Sequence, residues 1–342
     1  MLTERQRQIL ASVVSEFVHS AMPVSSLEIS KISELGVSPA TIRNELVTLE
    51  ELGYITHPHT SAGRLPTDKG YRYYVDHLLA KESVSRDMTL KVAGIFKDRV
   101  QSVDELMRKA SKLLSTLTNE ASLIIFPKLE MQHFKKVTLI SVDELHLVVV
   151  WISTSGLVWH GSIELDSPMD AEALHTLANF LNQELEGLSF HQIESFLNSR
   201  LNERRDSLAR LYDLAMKVVK ESLKVSQELR LYLEGSLNVL EKPEFEDSQK
   251  SRRLFSLLES KKDLLNIFDE NVNSSGIKVR IGNESHLLDF NDCSLVTSTY
   301  RLKDQSMGLL GVLGPKRMNY PKVISLVEYM AEEMAEVLHR HF

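Results

Sequence analysis

An α+β chain of more than one domain is what this sequence predicts, opening with a small helical unit that carries a β-hairpin. Three observations point there. The chain has 342 residues, more than one ordinary domain needs. It is 43% hydrophobic and 25% charged, enough apolar material for a sizeable buried core. Its first 75 residues show three short helical patterns and then a turn-rich segment, whereas later stretches alternate between period-two runs and helical ones.

The first helix is predicted over Thr3 to Ala21, with Ile9, Leu10, Val13, Val14, Phe17 and Val18 on one face, and Met22-Pro23 ends it. Ser25 followed by Glu28 makes a capping box for a second helix, which carries Leu27, Ile29, Ile32 and Leu35 and stops at Gly36. Ser38 then caps a third helix with Pro39 in its first position, closed by Gly53. Ile42, Leu46, Leu49 and Leu52 stack on one side of it, while Ala40, Arg43, Asn44 and Val47 fall on the other. Tyr54 to Thr67 reads as a short hairpin whose tip holds hydroxyl residues, Gly63 and Arg64. Lys69 and Arg72 follow on a helix start.

Helix, turn, helix and hairpin together describe a winged helix-turn-helix. In that arrangement the third helix enters the DNA major groove. Arg43 suits guanine and Asn44 suits adenine through paired hydrogen bonds. Ser38 and Thr41 suit phosphate at the helix start. In the wing, His59, Thr60, Ser61 and Arg64 are the candidate DNA contacts, with Lys69 and Arg72 behind them. Against this, trihelical cores also serve protein–protein contacts. Residues 1–75 hold seven Lys and Arg against eight Asp and Glu, and Glu45, Glu50 and Glu51 sit on the third helix itself. The chain as a whole carries a net charge of -7, which excludes a general polyanion binder but not a local DNA-binding surface.

Two stretches resemble the HrcA family of heat-inducible transcription repressors. One is Ser38-Pro39-Ala40-Thr41-Ile42-Arg43-Asn44-Glu45-Leu46 with Leu49 to Ile55; the other, more specific, is His59-Thr60-Ser61-Ala62-Gly63-Arg64-Leu65-Pro66-Thr67-Asp68-Lys69-Gly70-Tyr71 through Asp76. A weaker likeness continues to Gly308–Pro315. The resemblance implies a winged-helix domain (1–80), a GAF-like domain in two pieces (85–127 and 225–342) and an inserted dimerisation domain (128–224). It also implies repression of chaperone operons by a homodimer on an inverted-repeat operator, release of DNA on heating, and maintenance by the GroEL chaperonin.

After a polar stretch from Lys81 to Asp87, one long helical pattern runs from Leu90 to Leu113, and Ala121 to Phe126 is a strand. Lys136–Val142, His146–Ser153 and Gly156–Leu165 read as three antiparallel strands, followed by helices at about 170–186, 190–199 and 201–230. These strands fit the inserted domain; the rival division gives them to the GAF-like sheet. Leu229–Leu240 is predicted as a strand, Ser248–Glu270 as a helix, Ile277–Ile281, Ser294–Leu302 and Met307–Leu313 as strands with a turn at Gly314-Pro315, and Pro321–His339 as the last helix.

Catalytic signals are weak. Gly308, Gly311 and Gly314 lie in or after a strand, not in the turn that opens a nucleotide-binding helix, and imply close strand packing. His57/His59 and His339/His341 lack a carboxylate or cysteine cluster, so no metal and no cofactor is expected. The single cysteine, Cys293, reads as a buried small side chain and rules out an internal disulfide, which suits a cytoplasmic protein. The polar start and the short apolar run Leu145–Ile152 give no signal peptide or membrane span. A non-enzymatic regulator is therefore expected; a metabolite-responsive winged-helix regulator using its GAF-like domain is the alternative, and an enzyme tethered to DNA a distant third.

Overall fold

The computed structural model describes residues 2–32, 36–58, 63–80, 82–97, 102–127, 132–203, 209–224, 230–260, 264, 276–284, 290–302 and 307–341. Helix α1 (Glu4–Ser20) starts at a full capping box, Thr3 with Gln6, and buries Ile9, Leu10, Val13 and Val14. Helix α2 (Ser26–Ile32) starts where Ser25 and Glu28 cap each other, Ser25 N–H donating to Glu28 at 2.6 Å. Of its expected apolar face only Ile29 is buried; Leu27 and Ile32 are 54% and 53% exposed, and Leu35 lies outside the described residues. Helix α3 (Pro39–Glu51) is capped by Ser38 and buries Ile42, Leu46 and Leu49. Leu52, expected on the same side, is 45% exposed because the helix ends before it. Gly36 and Gly53 both take positive φ, 62° and 78°, at the turns that flank α3.

The hairpin is short: β1 (Ile55–Thr56) pairs with β2 (Leu65–Pro66). Arg64 extends it by exchanging backbone hydrogen bonds of 2.8 and 2.9 Å with Val24. Gly63 is needed for this approach, since a Cβ there would sit 2.5 Å from the Pro23 carbonyl carbon. The close backbone approach that Gly63 permits is thus made to the Pro23–Val24 segment. Helix α4 (Asp68–Tyr73) continues as one wide turn through Leu78.

The expected long helix is two, α5 (Arg86–Lys97) and α6 (Val103–Thr118), the second restarted by Ser102, whose side chain caps the Glu105 amide. Strand β3 (Ala121–Ile125) then enters a five-stranded antiparallel sheet. The chain leaves that sheet and builds another: among the described residues β4 (Phe134–Ser141), β5 (His146–Ser153) and β6 (Val158–Glu164) form a three-stranded sheet of their own, in sequence order. Helices α7 (Ala171–Glu184), α8 (Phe190–Glu203) and α9 (Ala209–Lys224) follow; α7 packs on β4 and α9 on β6. Trp151, fully buried, meets Phe134 and Phe190 edge-on in their core, and Trp159 joins them.

Strand β7 (Leu231–Glu234) brings the chain back beside β3, with Ser122 opposite Glu234. The strand expected to reach Leu240 stops here. Gly235 takes a φ of 75°, and helix α10 (Ser236–Leu240) begins. Helix α11 (Ser248–Glu259) ends where Ser260 leaves helical geometry; of the remainder of the expected helix to Glu270, all but Leu264 lies outside the described residues. Strands β8 (Ile277–Ile281), β9 (Cys293–Arg301) and β10 (Met307–Pro315) complete the sheet in the order β7-β3-β10-β9-β8. Gly314 and Pro315 remain in β10, paired with Ser294 and Cys293, so the turn expected at them does not form. A Cβ at Gly308 would collide with the Tyr300 ring, which accounts for that glycine by close packing. Helix α12 (Tyr320–His341) closes the chain against β9, α5 and α6. One face of the sheet buries Leu254, Leu257, Phe245 and Phe290; the other joins a core continuous with the N-terminal unit.

Candidate nucleic-acid interface

Helix α3 is held by its inner residues and leaves its outer face clear. Ser38 accepts the Thr41 amide at 3.2 Å, and its hydroxyl lies 3.0 Å from that of Thr41, so both side chains gather at the helix start. Arg43 and Asn44 follow, both exposed, and neither side chain has a hydrogen bond or ion pair with another described residue. Four of the residues singled out in the sequence, Ser38, Thr41, Arg43 and Asn44, therefore share the N-terminal half of one helix.

The acidic residues of α3 are each met by a cation except the last. Glu45 pairs with Arg5 at 3.5 Å and accepts from Gln6 at 3.0 Å, which also ties α1 to α3. Glu50 is bracketed by the wing: Arg64 reaches one carboxylate oxygen at 2.9 Å and His57 Nδ1 meets the other. This neutralises charge that would repel a phosphate backbone, and it fastens the hairpin to the helix. Only Glu51, exposed at the far end, has no such partner. The local field near the helix start is thus less acidic than the residue count suggests.

Lys69 and Arg72 are placed differently from the exposed pair. Lys69 donates to the Leu52 carbonyl at 2.7 Å and lies 4.5 Å over the Tyr54 ring, closing the C-terminus of α3. Arg72 turns toward the C-terminal sheet, donating to Glu284 at 2.7 Å and to the Val279 carbonyl at 2.6 Å. Beside it Asp68 pairs with Lys316 at 2.6 Å and accepts the Asn283 amide at 3.2 Å, while Arg317 donates to the Val18 carbonyl at 2.8 Å. Tyr71 and Tyr320 pack at 6.0 Å in the same joint. His59, Thr60 and Ser61 lie outside the described residues. The role of Glu50 as a bracket and of Asp68 and Arg72 as a joint escaped the sequence reading. Of these contacts, the i,i+4 pair Arg72–Asp76, at 3.1 Å, is of the kind that helical spacing can signal.

The comparisons with known proteins decide what this helix and wing belong to. Residues 1–77 match the family model described as the winged helix-turn-helix transcription repressor HrcA DNA-binding domain, and residues 104–324 match the HrcA protein C-terminal domain. The chain belongs to the HrcA family. It is 37% identical over 339 residues to the heat-inducible transcription repressor HrcA of Pelotomaculum thermopropionicum, spanning 99% of this chain and 97% of that one. It is 34% identical to the repressor of the same name from Bacillus pumilus, over 99% and 98% of the two chains. A solved structure described as a hypothetical protein is 26% identical and superposes with a TM-score of 0.67 over 99% of both chains. As a member of the HrcA family the chain is a heat-inducible transcription repressor with a DNA-binding winged helix, not an enzyme. Among the described residues no helix is long and apolar enough to cross a membrane, and no group of three metal-ligating side chains converges.

Proposed function

We propose that this repressor binds an inverted-repeat operator as a homodimer, one α3 helix and one wing to each half-site. The supporting observation is the outward, unpartnered pair Arg43 and Asn44 on a helix whose neighbouring acids are neutralised. On this reading Arg43 and Asn44 contact base edges, while Ser38, Thr41, His59, Thr60 and Ser61 contact the backbone. Arg64 sets the wing through Glu50 and removes that carboxylate's repulsion of the phosphates beside the groove. Lys69 and Arg72 act from behind, by fixing α3 and the domain joint. Replacing Arg43 by alanine should cost roughly 1–3 kcal/mol of discrimination at one base pair per half-site. Arg64→Ala should weaken all sequences alike and flatten the salt dependence. Gel-shift titrations against the chaperone-operon promoter and a scrambled duplex measure both; binding indifferent to either change would refute the assignment.

We read 85–127 with 225–342 as a GAF-like domain and 128–224 as the dimerisation domain set into it. The return of β7 beside β3 supports an insertion. The outer face of the small sheet supports self-association: Ile140 and Val158 are 49% and 48% exposed and flank half-buried Val148, Val150 and Ile152. A glutamate at Val158 should shift sedimentation from dimer to monomer and lower operator affinity with it. Heat would then release DNA by loosening this marginally stable assembly in the cytoplasm, and the GroEL chaperonin would restore it. Equal recovery of operator binding after a heat pulse with and without the chaperonin would refute that last step.

A further inference from the structure

Helix α3 carries an apolar element on the face that Arg43 and Asn44 occupy. Val47 is 43% exposed, and Ala40 is exposed one turn before Arg43. The two lie seven positions apart, at the i,i+7 spacing that keeps them on one side of a helix. Val47 stands four residues beyond Arg43 and three beyond Asn44, so all share one stripe. Among the described residues Val47 belongs to no hydrophobic cluster. The hydrophobic contacts of the helix are made by Ile42, Leu46 and Leu49 on the opposite side, each at most 4% exposed. Arg43 and Asn44 flank it with no side-chain partner among the described residues, which marks this stripe as the part of α3 left for a ligand.

We infer that Val47, with Ala40, reads thymine through its 5-methyl group in the operator major groove. This rests on the placement of α3 in that groove. The methyl is the one apolar feature that distinguishes a base pair there, and aliphatic side chains recognise it by excluding water. Four residues of helix advance about 6 Å. Successive base pairs are about 3.4 Å apart. Val47 therefore addresses a position about two steps from the base that Arg43 reads. The two residues then divide the work: the guanidinium recognises a hydrogen-bonding edge, and the isopropyl group recognises a methyl that no hydrogen bond can report. Val47 is a specificity residue of a different chemical kind from those named above.

The test removes the methyl alone. A half-site is selected from a random duplex pool by the full-length protein, and each thymine in it is replaced in turn by uracil, which pairs identically but lacks the 5-methyl. Dissociation constants are measured by fluorescence anisotropy for the wild type, Val47→Ala and Arg43→Ala. Wild type should lose about fourfold in affinity at one or two thymines of each half-site, the worth of one buried methyl. Val47→Ala should lose the difference between thymine and uracil at one of those positions, the one that Val47 addresses, and Arg43→Ala should keep the methyl sensitivity while losing base preference elsewhere. Alanine is a stronger helix former than valine, so the exposed substitution leaves the fold intact. A flat uracil scan, or methyl sensitivity unchanged in Val47→Ala, overturns the inference. If Arg43→Ala also leaves every base preference intact, the groove placement itself fails; if Arg43→Ala relaxes one, only the role of Val47 does.

Discussion

At the scale of single residues, charge is resolved by neighbours that the linear order does not display. Glu50 reads in isolation as a liability on a DNA-binding helix; in the fold it is the anchor of Arg64 and His57. Glu120 shows the opposite case. It is 5% exposed just before the inner strand β3 of the large sheet, and one carboxylate oxygen meets Lys242 at 3.2 Å while the other has no partner among the described residues. Burial pushes its carboxyl from the ordinary 4.5 up to about 7, with Lys242 opposing the shift and Glu244 adding to it. The native state then holds a proton that the unfolded chain releases, so this group stabilises the fold at low pH. That contribution is lost as pH rises from 4.5 through about 7. The loss is on the order of 3 kcal/mol. Glu120→Gln keeps an acceptor for Lys242 without the charge. In urea unfolding, its stability relative to wild type should rise between pH 5 and pH 8. A difference that does not vary with pH would show an ordinary carboxylate.

At the scale of elements, periodicity places helices and strands well and their ends less well. Caps are legible where spacing marks them: Ser25 and Ser38 each accept an amide three residues on. Ser102 does the same for Glu105, but the apolar period on either side of it reads as one helix and hides the break. The end of β7 is not legible either, because Leu231, Leu233, Leu237 and Val239 keep a period-two alternation across Gly235, whose positive φ turns strand into helix. The edge of the small sheet shows a device that spacing hides. Asn182 on α7 accepts from the Val137 amide at 2.8 Å and donates to the Val137 carbonyl at 3.0 Å, taking the place of a neighbouring strand on β4. Replacing it by alanine strands both backbone groups, and should cost about 1–3 kcal/mol. Chemical denaturation measures this; a change within error would mean that water serves the edge as well.

At the scale of the whole molecule, the winged helix is fastened to the C-terminal sheet rather than merely tethered. Asp68 with Lys316, Arg72 with Glu284 and Val279, and Arg317 with the Val18 carbonyl surround the Tyr71–Tyr320 contact. Arg72 and Glu284 retain 30% and 34% exposure, so salt screens their pairing in part. Calorimetry should therefore show the N-terminal unit melting together with the large sheet. The double substitution Asp68→Ala with Arg72→Ala should split off an earlier transition, and concentrated salt should move wild type in the same direction. One unchanged transition in the variant would assign the coupling to the apolar contact alone.

The sequence by itself determined the helix-turn-helix, its caps, the outward face carrying Arg43, Asn44 and Val47, and the period-two runs of both sheets. Each of these depends on residues within a turn or two of one another, where spacing and geometry are the same thing. Only the tertiary structure decided that 134–164 forms a sheet apart from the five-stranded one, that Gly63 yields to Pro23, and that Arg72 faces Glu284. Those outcomes join residues far apart in the chain. A side chain's chemistry states what partner it needs, and the folded path alone states which one it meets.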